Sequence, residues 1–260
     1  MTTTGVTVER DGAVTTVRFA RPERLNALDV PALESLAGTL EAAAADDTVR
    51  VVVLAGEGRA FCAGADLGGM DPAAAAEAGD GSLAAIHRVT TTLADMPKPT
   101  VAVVHGPAAG VGVSLALACD LVVAAESSYF LLAFATIGLM PDGGATALVA
   151  AAVGRARAMR MALLAERVPA ATAYDWGLVS HLVPDDDLTS TVSGLASTLA
   201  AGPTAAYAAT KAAVRAASLG QLHDALVRER EGQNAMFRTA DFAEGVTAFR
   251  ERRAARFTGR

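Results

Sequence analysis

The sequence predicts an α/β protein built on a largely parallel sheet, followed by an all-helical C-terminal segment. Three observations carry this. Val49-Arg-Val-Val-Val-Leu-Ala55 is an almost continuous apolar run, which suits a strand covered on both faces, as in a parallel sheet. Strand-turn-helix patterns repeat to about residue 185, the order expected of a parallel α/β core. From Pro203 onward the pattern is helical, with a break near Gly220. The chain therefore divides into a core over 1–200 and a helical region over 201–260, with no low-complexity linker between them.

Each element follows from local chemistry. Residues 6–9 and 13–19 flank Asp11-Gly12, a hairpin signal. Residues 21–28 form a loop. Asp29 is placed to cap a helix with Pro31 in its first turn, running to about Ala45. The strand over 49–55 ends at Gly56-Glu-Gly58. Residues 68–81, rich in Gly, Ala and Asp, read as a weak helix or mobile loop. Residues 83–96 are a helix stopped by Pro97-Lys-Pro99. Residues 100–105 are the next buried strand, 106–112 a tight turn and 113–119 a helix. Strands follow at 121–125 and 129–131. Leu139-Met-Pro-Asp-Gly-Gly144 opens a helix to Val153, and further helices cover 158–165, 170–176 and 187–201.

Composition excludes several classes of function. Of 260 residues, 52% are hydrophobic and 19% charged, unlike a disordered chain. A net charge of −6 gives no basic field for nucleic acid. Residues 238–260 run the other way, with six Arg against three acids. They read as a solvated helix face or as a contact for an anionic ligand. The most apolar stretch, 101–125, is interrupted by His105, Gly106, Pro107, Gly110, Gly112, Ser114 and Asp120, so it is not a membrane span. Residues 1–10 lack the apolar core of a secretory signal. Cys62 and Cys119 form no CxxC, and His87, His105, His181 and His223 are scattered without metal-ligand spacing. The expectation is a cytoplasmic protein with reduced thiols, no metal and no nucleic-acid or membrane partner.

Four segments carry residues suited to chemistry. Phe61-Cys-Ala-Gly-Ala-Asp-Leu67 and His105-Gly-Pro-Ala-Ala-Gly-Val-Gly-Val-Ser114 are Gly/Ala loops at strand ends, where backbone N–H groups can point into a cleft. Two converging N–H groups make an oxyanion hole. The second loop also partly matches a dinucleotide fingerprint, with its third Gly replaced by Leu115. It is one residue from a nucleophile elbow at Ser114, with no recognisable His and acid downstream. In the third segment, 138–144, Asp142 reads either as a helix N-cap or as a general acid/base. The fourth is the tail, Glu244-Gly-Val-Thr-Ala-Phe-Arg-Glu-Arg-Arg253.

Taken in order, and with Arg21-Pro-Glu-Arg-Leu-Asn-Ala-Leu28 and Trp176-Gly-Leu-Val179 followed by Val183-Pro184, these segments resemble the enoyl-CoA hydratase/isomerase family, the crotonase superfamily. The resemblance spans nearly the whole chain. It implies a spiral of ββα units with a C-terminal helical trimerisation region, assembled as a homotrimer or homohexamer. It implies an acyl-CoA thioester as substrate, with no permanently bound cofactor.

Residue by residue, the resemblance places oxyanion-hole N–H groups at Ala65 and Val111. Ala63, Asp66 and Leu67 would lie by the adenine. Leu25 and Ala27 belong to a loop touching coenzyme A, with Arg24 near the phosphates. Arg252 matches a family Lys that reaches a neighbouring subunit's nucleotide, and a guanidinium can serve a phosphate there bidentately.

Two departures bear on the reaction. Ser114 and Phe134 stand where hydratases carry their two glutamates, and hydration needs both an acid and a base. Asp142 stands where Δ3,Δ2-enoyl-CoA isomerases and ring-opening phenylacetate-pathway isomerases carry their acid. An apolar pocket including Phe134 and Ile137 would raise its pKa, and residues 68–81 and the helix from Leu83 would line the acyl site. The same position hosts a nucleophilic Asp in aryl-CoA dehalogenases. The resemblance therefore points to an enoyl-CoA isomerase-type reaction through a thioester enolate. A non-catalytic acyl-CoA-binding homologue and a hydratase with atypical residues are the alternatives.

Overall fold

The computed structural model describes residues 4–69, 71–78 and 81–260. The hairpin forms as expected: β1 (Val6–Asp11) and β2 (Val14–Phe19) pair antiparallel, with Asp11 opposite Val14. From β2 onward the main sheet is parallel. It continues through β3 (Val51–Gly56), β4 (Thr100–Val104), β6 (Leu121–Ala125) and β9 (His181–Val183). A second sheet joins β5 (Pro107–Ala109), β7 (Tyr129–Leu131) and β8 (Val168–Pro169).

The apolar run of β3 is divided between two cores by the strand's period of two. Val52 and Leu54 enter the main core, which also takes residues of α1 (Val30–Ala45), α3 (Gly81–Asp95) and α4 (Val111–Ala118). Val51, Val53 and Ala55 enter a second cluster with Val101, Val103, Val123 and Ala196 of α7 (Leu188–Ala201). Asp29 caps α1, its Oδ1 accepting from the Ala32 N–H at 2.9 Å.

The structure corrects three local expectations. The turn over 106–112 contains β5, whose edge would otherwise be read as loop. The helix expected from residue 113 starts at Val111, because Gly110 supplies the N-cap. By contrast, the helix expected to end at Val153 and the one expected over 158–165 do form as two helical stretches, labelled together α5 (Ala145–Leu164) and divided at Gly154, whose φ of 76° and ψ of 162° are not helical. Asp142 caps nothing: Gly144 holds that position. In the segment 68–81, α2 (Pro72–Ala78) is helical, while residues 70, 79 and 80 lie outside the described residues.

After the short α6 (Ala170–Trp176) and α7, the C-terminal helices dock on the core. α8 (Thr204–Ser218) is fixed by Lys211, whose Nζ donates to the Leu93 carbonyl at 2.8 Å and pairs with Asp120 at 2.9 Å. α9 (Leu222–Met236) buries Leu222 and Leu226 in the main core. α10 (Ala240–Glu251) lies backbone-to-backbone on a 3-10 turn, Ala133–Ile137. A Cβ on Gly245 would stand 2.5 Å from the Ile137 carbonyl oxygen, a separation that only displacement of one backbone relieves. Gly245→Ala is therefore expected to destabilise the fold by about 1–3 kcal/mol. Gly38→Ala, on the open face of α1 with nothing within 4 Å, is expected to stabilise it by about 0.5–1 kcal/mol. Thermal unfolding of both variants checks the pair, and equal midpoints would refute the packing argument.

Candidate active site

The two Gly/Ala loops meet at the end of the parallel strands. Cys62 and Ala108 form a parallel bridge, and the Ala109 N–H donates to the Cys62 carbonyl at 2.8 Å. Gly64 (φ 95°) and Gly110 (φ 54°) adopt backbone conformations that side chains resist, and their loops touch. A Cβ on Gly64 would stand 2.9 Å from the Ala109 carbonyl oxygen, and one on Gly110 3.6 Å from Gly64 Cα.

This contact fixes the two N–H groups of interest. A bridge pairs Leu28 with Ala65: the Leu28 N–H donates to the Gly64 carbonyl, and the Leu28 carbonyl accepts from the Asp66 N–H. The Ala65 N–H lies between and takes no part in it. Val111 is the first residue of α4, so its N–H has no acceptor within the helix. Ala65 is exposed and Val111 is buried. Backbone donors of this kind stabilise an oxyanion without reorganisation.

Asp142 is brought to the same place. A Cβ on the next residue, Gly143, would stand 3.1 Å from both Val111 Cγ2 and Ser114 Cβ, and 3.0 Å from Ile86 Cγ2 of α3. The Phe134 ring reaches to 4.0 Å from a Cβ position on Gly110. Phe134 and Asp142 are buried, at 7% and 5% exposure. Ile137 is half-buried, and its carbonyl faces Gly245. Ser114 donates its hydroxyl to the Asp142 main-chain carbonyl at 2.7 Å. That bond holds the Asp142 backbone, and it gives Ser114 no histidine partner of the kind a serine nucleophile requires.

The Asp142 carboxyl is held on one side only. Its Oδ2 accepts from Gln233 Nε2 at 2.8 Å, while its Oδ1 is buried without a partner. Burial pushes its pKa from the ordinary 3.8 up to about 7; the Gln233 bond opposes the rise and the charge of Glu229 adds to it. Glu229 is itself buried, and desolvation raises it too. Its carboxylate accepts from the Gly144 N–H at 2.6 Å and the Thr146 N–H at 2.8 Å, at the start of α5, where the helix dipole favours negative charge.

Of the residues expected to touch coenzyme A, all but Arg252 lie on the first loop or on the 21–28 segment bonded to it. Arg24 is exposed, with its Nη1 3.1 Å from a Cβ position on Gly68. Leu25 (φ 52°) offers its carbonyl to the Ala63 N–H at 3.0 Å. The Ala27 carbonyl accepts from Arg21 at 2.7 Å, and Arg21 pairs with Asp66 at 2.8 Å. Leu67 is half-buried beside them. Arg252 stands apart from this group. It ends α10 at φ 54°, exposed, and pairs with no acid among the described residues.

Sequence reasoning missed Asn26, Glu229, Gln233 and His87. Asn26 is fully buried and pins the first loop, donating to the Glu57 and Ala60 carbonyls at 2.8 and 2.7 Å. Glu229 and Gln233 had a readable signal: with Leu222 and Leu226 they follow a 4-3-4 spacing on the apolar stripe of α9. His87 lies three residues before Thr90, which donates to the Gly143 carbonyl at 3.0 Å. Its Nε2 is buried without a partner, and desolvation lowers its pKa. Burial pushes both cysteine thiols up to about 12, so Cys62 beside the loop is no nucleophile. Among the described residues no group of His, Cys, Asp and Glu is arranged to hold a metal ion, and no helix is long and apolar enough to cross a membrane.

Comparison with known proteins places the chain in a family. The model of the enoyl-CoA hydratase/isomerase family matches residues 9–260. The chain is 40% identical over 250 residues to the 1,2-epoxyphenylacetyl-CoA isomerase of Escherichia coli (strain K12), covering 95% of each chain. It is 37% identical over 258 residues to the 2,3-dehydroadipyl-CoA hydratase of the same organism, covering 97% of this chain and 98% of that one. Its fold matches a crystal structure of an enoyl-CoA hydratase from Mycobacterium avium subsp. paratuberculosis K-10, with a TM-score of 0.91, 48% identity and 98% coverage of both chains.

Proposed function

The chain belongs to the enoyl-CoA hydratase/isomerase family, and from that premise we propose that it moves a double bond in an enoyl-CoA, with Asp142 as its single acid/base. One observation carries the reading. Asp142 is a buried carboxyl with a pKa of about 7 and one unpartnered oxygen, while Ser114 and Phe134 occupy the two positions where a hydratase would need carboxylates.

The Asp142 carboxylate takes a proton from C2 of a 3-enoyl-CoA, and the C–H electrons pass into the thioester as a dienolate. The Ala65 and Val111 N–H groups hold the oxygen as its charge develops. Asp142 then returns the proton to C4, the electrons close onto C2–C3, and the carboxylate is regenerated. One group suffices because both transfers occur on the same conjugated chain. A pKa near 7 suits it to give and accept a proton at neutral pH. The apolar Phe134 helps exclude water that would quench the dienolate.

The substrate is a coenzyme A thioester and no resident cofactor is required. In this reading the nucleotide lies along Leu25, Ala27, Ala63, Asp66 and Leu67, with Arg24 and Arg252 toward its phosphates. Exposed Leu163, Leu164 and Val214 favour a self-associating chain, a homotrimer or homohexamer.

The test supplies the protein with 3-hexenoyl-CoA and, separately, crotonyl-CoA, and follows the absorbance of the conjugated enoyl thioester. A rise with 3-hexenoyl-CoA is expected. A fall with crotonyl-CoA instead would mean hydration and overturn the proposal. Binding of acyl-CoA without change in either would favour a non-catalytic binding role.

A further inference from the structure

We propose that Gln233 is a positioning residue that confines the exchangeable proton of Asp142 to Oδ1; this rests on the reading of Asp142 as the acid/base. The argument begins with the amide of Gln233, whose orientation is forced. Its Oε1 accepts from the Met140 N–H at 3.2 Å, and its Nε2 donates to the Met140 carbonyl at 3.0 Å and to Asp142 Oδ2 at 2.8 Å. Turning the amide over would set donor against donor at the Met140 N–H and acceptor against two acceptors on the other side. Both amide hydrogens are therefore committed, and the nitrogen facing Asp142 has no lone pair to offer.

Oδ2 consequently acts as an acceptor in either state of the carboxyl, as carboxylate or as the C=O of the acid. The proton has one place left. Oδ1 is buried with no partner, so it is the oxygen that receives and returns the proton. The carboxyl need not rotate between the two transfers of the reaction, and the proton leaves from the atom it arrived at.

The charged and titratable groups around Asp142 fit this assignment. Glu229, one turn before Gln233 on α9, holds the loop through Gly144 and Thr146, and its charge raises Asp142. Arg228 acts on Glu229. From α3, His87 is kept toward its neutral form by burial. From α4, Ser114 bonds the Asp142 main chain and leaves the carboxyl alone. On α10, Asp241 is bonded to the Thr258 and Gly259 N–H groups and Glu244 is paired with Arg253, so neither engages the carboxyl. The Gln233 amide is thus the hydrogen bond that distinguishes one oxygen of Asp142 from the other.

Infrared difference spectroscopy of the substrate-free protein, with Asp142→Asn as the blank, reads the carboxyl directly. In Gln233→Leu, and in Gln233→Met as an unbranched second variant, two changes are expected. The C=O stretch of protonated Asp142 moves to higher frequency, because its hydrogen bond is gone. The midpoint of its titration rises by about one pH unit, because that bond also favoured the ionised form. The acid limb of kcat/KM should move by the same amount, with KM for acyl-CoA changed less than about twofold. An unshifted C=O band and midpoint, with losses confined to KM or Tm, would overturn the proposal and leave Gln233 a packing residue. The infrared result does not depend on turnover. A shifted band in a protein that isomerises nothing would therefore count against the proposed function and not against the proton's location.

Discussion

Asp142→Asn is expected to lower kcat for 3-hexenoyl-CoA isomerisation by ~10²–10⁴-fold, the usual contribution of a positioned acid/base. An amide keeps the shape of the side chain and can still accept from Gln233, but it cannot carry a proton between carbons. KM should change little, because the groups assigned to the nucleotide lie on the first loop and at Arg252. The pH profile makes the expectation sharper. The reaction from the 3-enoyl side begins with a base, so Asp142 must be ionised in the free enzyme. With a pKa of about 7, kcat/KM should rise tenfold per pH unit below that value and level off above it. Steady-state rates between pH 5.5 and 9 measure both features. A variant retaining more than a tenth of the wild-type kcat would remove Asp142 from the mechanism.

The same substitution is expected to stabilise the fold, and by more as the pH rises. Burial raises Asp142 from 3.8 to about 7, so between those values the folded chain keeps a proton that the unfolded chain has released. Stability contributed by the neutral carboxyl is complete below pH ~4 and is lost as the pH climbs toward 7. At ~1.4 kcal/mol per pKa unit, the full cost is of order 4 kcal/mol above pH 7. Asparagine has no proton to lose and escapes it. Glu229, also raised by burial, is present in both proteins and its share largely cancels. The stability difference between Asp142→Asn and wild type should therefore grow by about 2 kcal/mol between pH 5.5 and 8.5. Urea unfolding at the two pH values reads this directly, and pH-independent changes in packing drop out of the comparison. The gain in stability and the loss of activity would have one origin, a carboxyl kept where water cannot solvate its charge.

How much of this was legible in the chain depends on the range of the interaction concerned. The strand at Val51–Gly56, the Asp29 cap and the hairpin at Asp11-Gly12 are set by neighbours in sequence, and all three form as expected. The start of the second loop is a strand and not the expected turn, because β5 pairs with β7, some twenty residues on, and bridges to Cys62. The break expected after Val153 falls at Gly154, whose non-helical backbone divides α5 into two helical stretches. Asp142 was visible as a choice between cap and acid. Its backbone position, with Gly144 taking the N-cap, decided against the cap.

The α/β order, the apolar strands, the two glycine loops and the lack of carboxylates at positions 114 and 134 can all be read along the chain. Those are properties of residue type and spacing, which chain-local physics and motif resemblance can read. The state of Asp142 is set by contacts between distant parts of the chain. Burial beneath α9 and the charge of Glu229 raise its proton affinity, and a Gln233 amide 91 residues away lowers it. A pKa is a property of surroundings, and a helix from the far end of the chain supplies them.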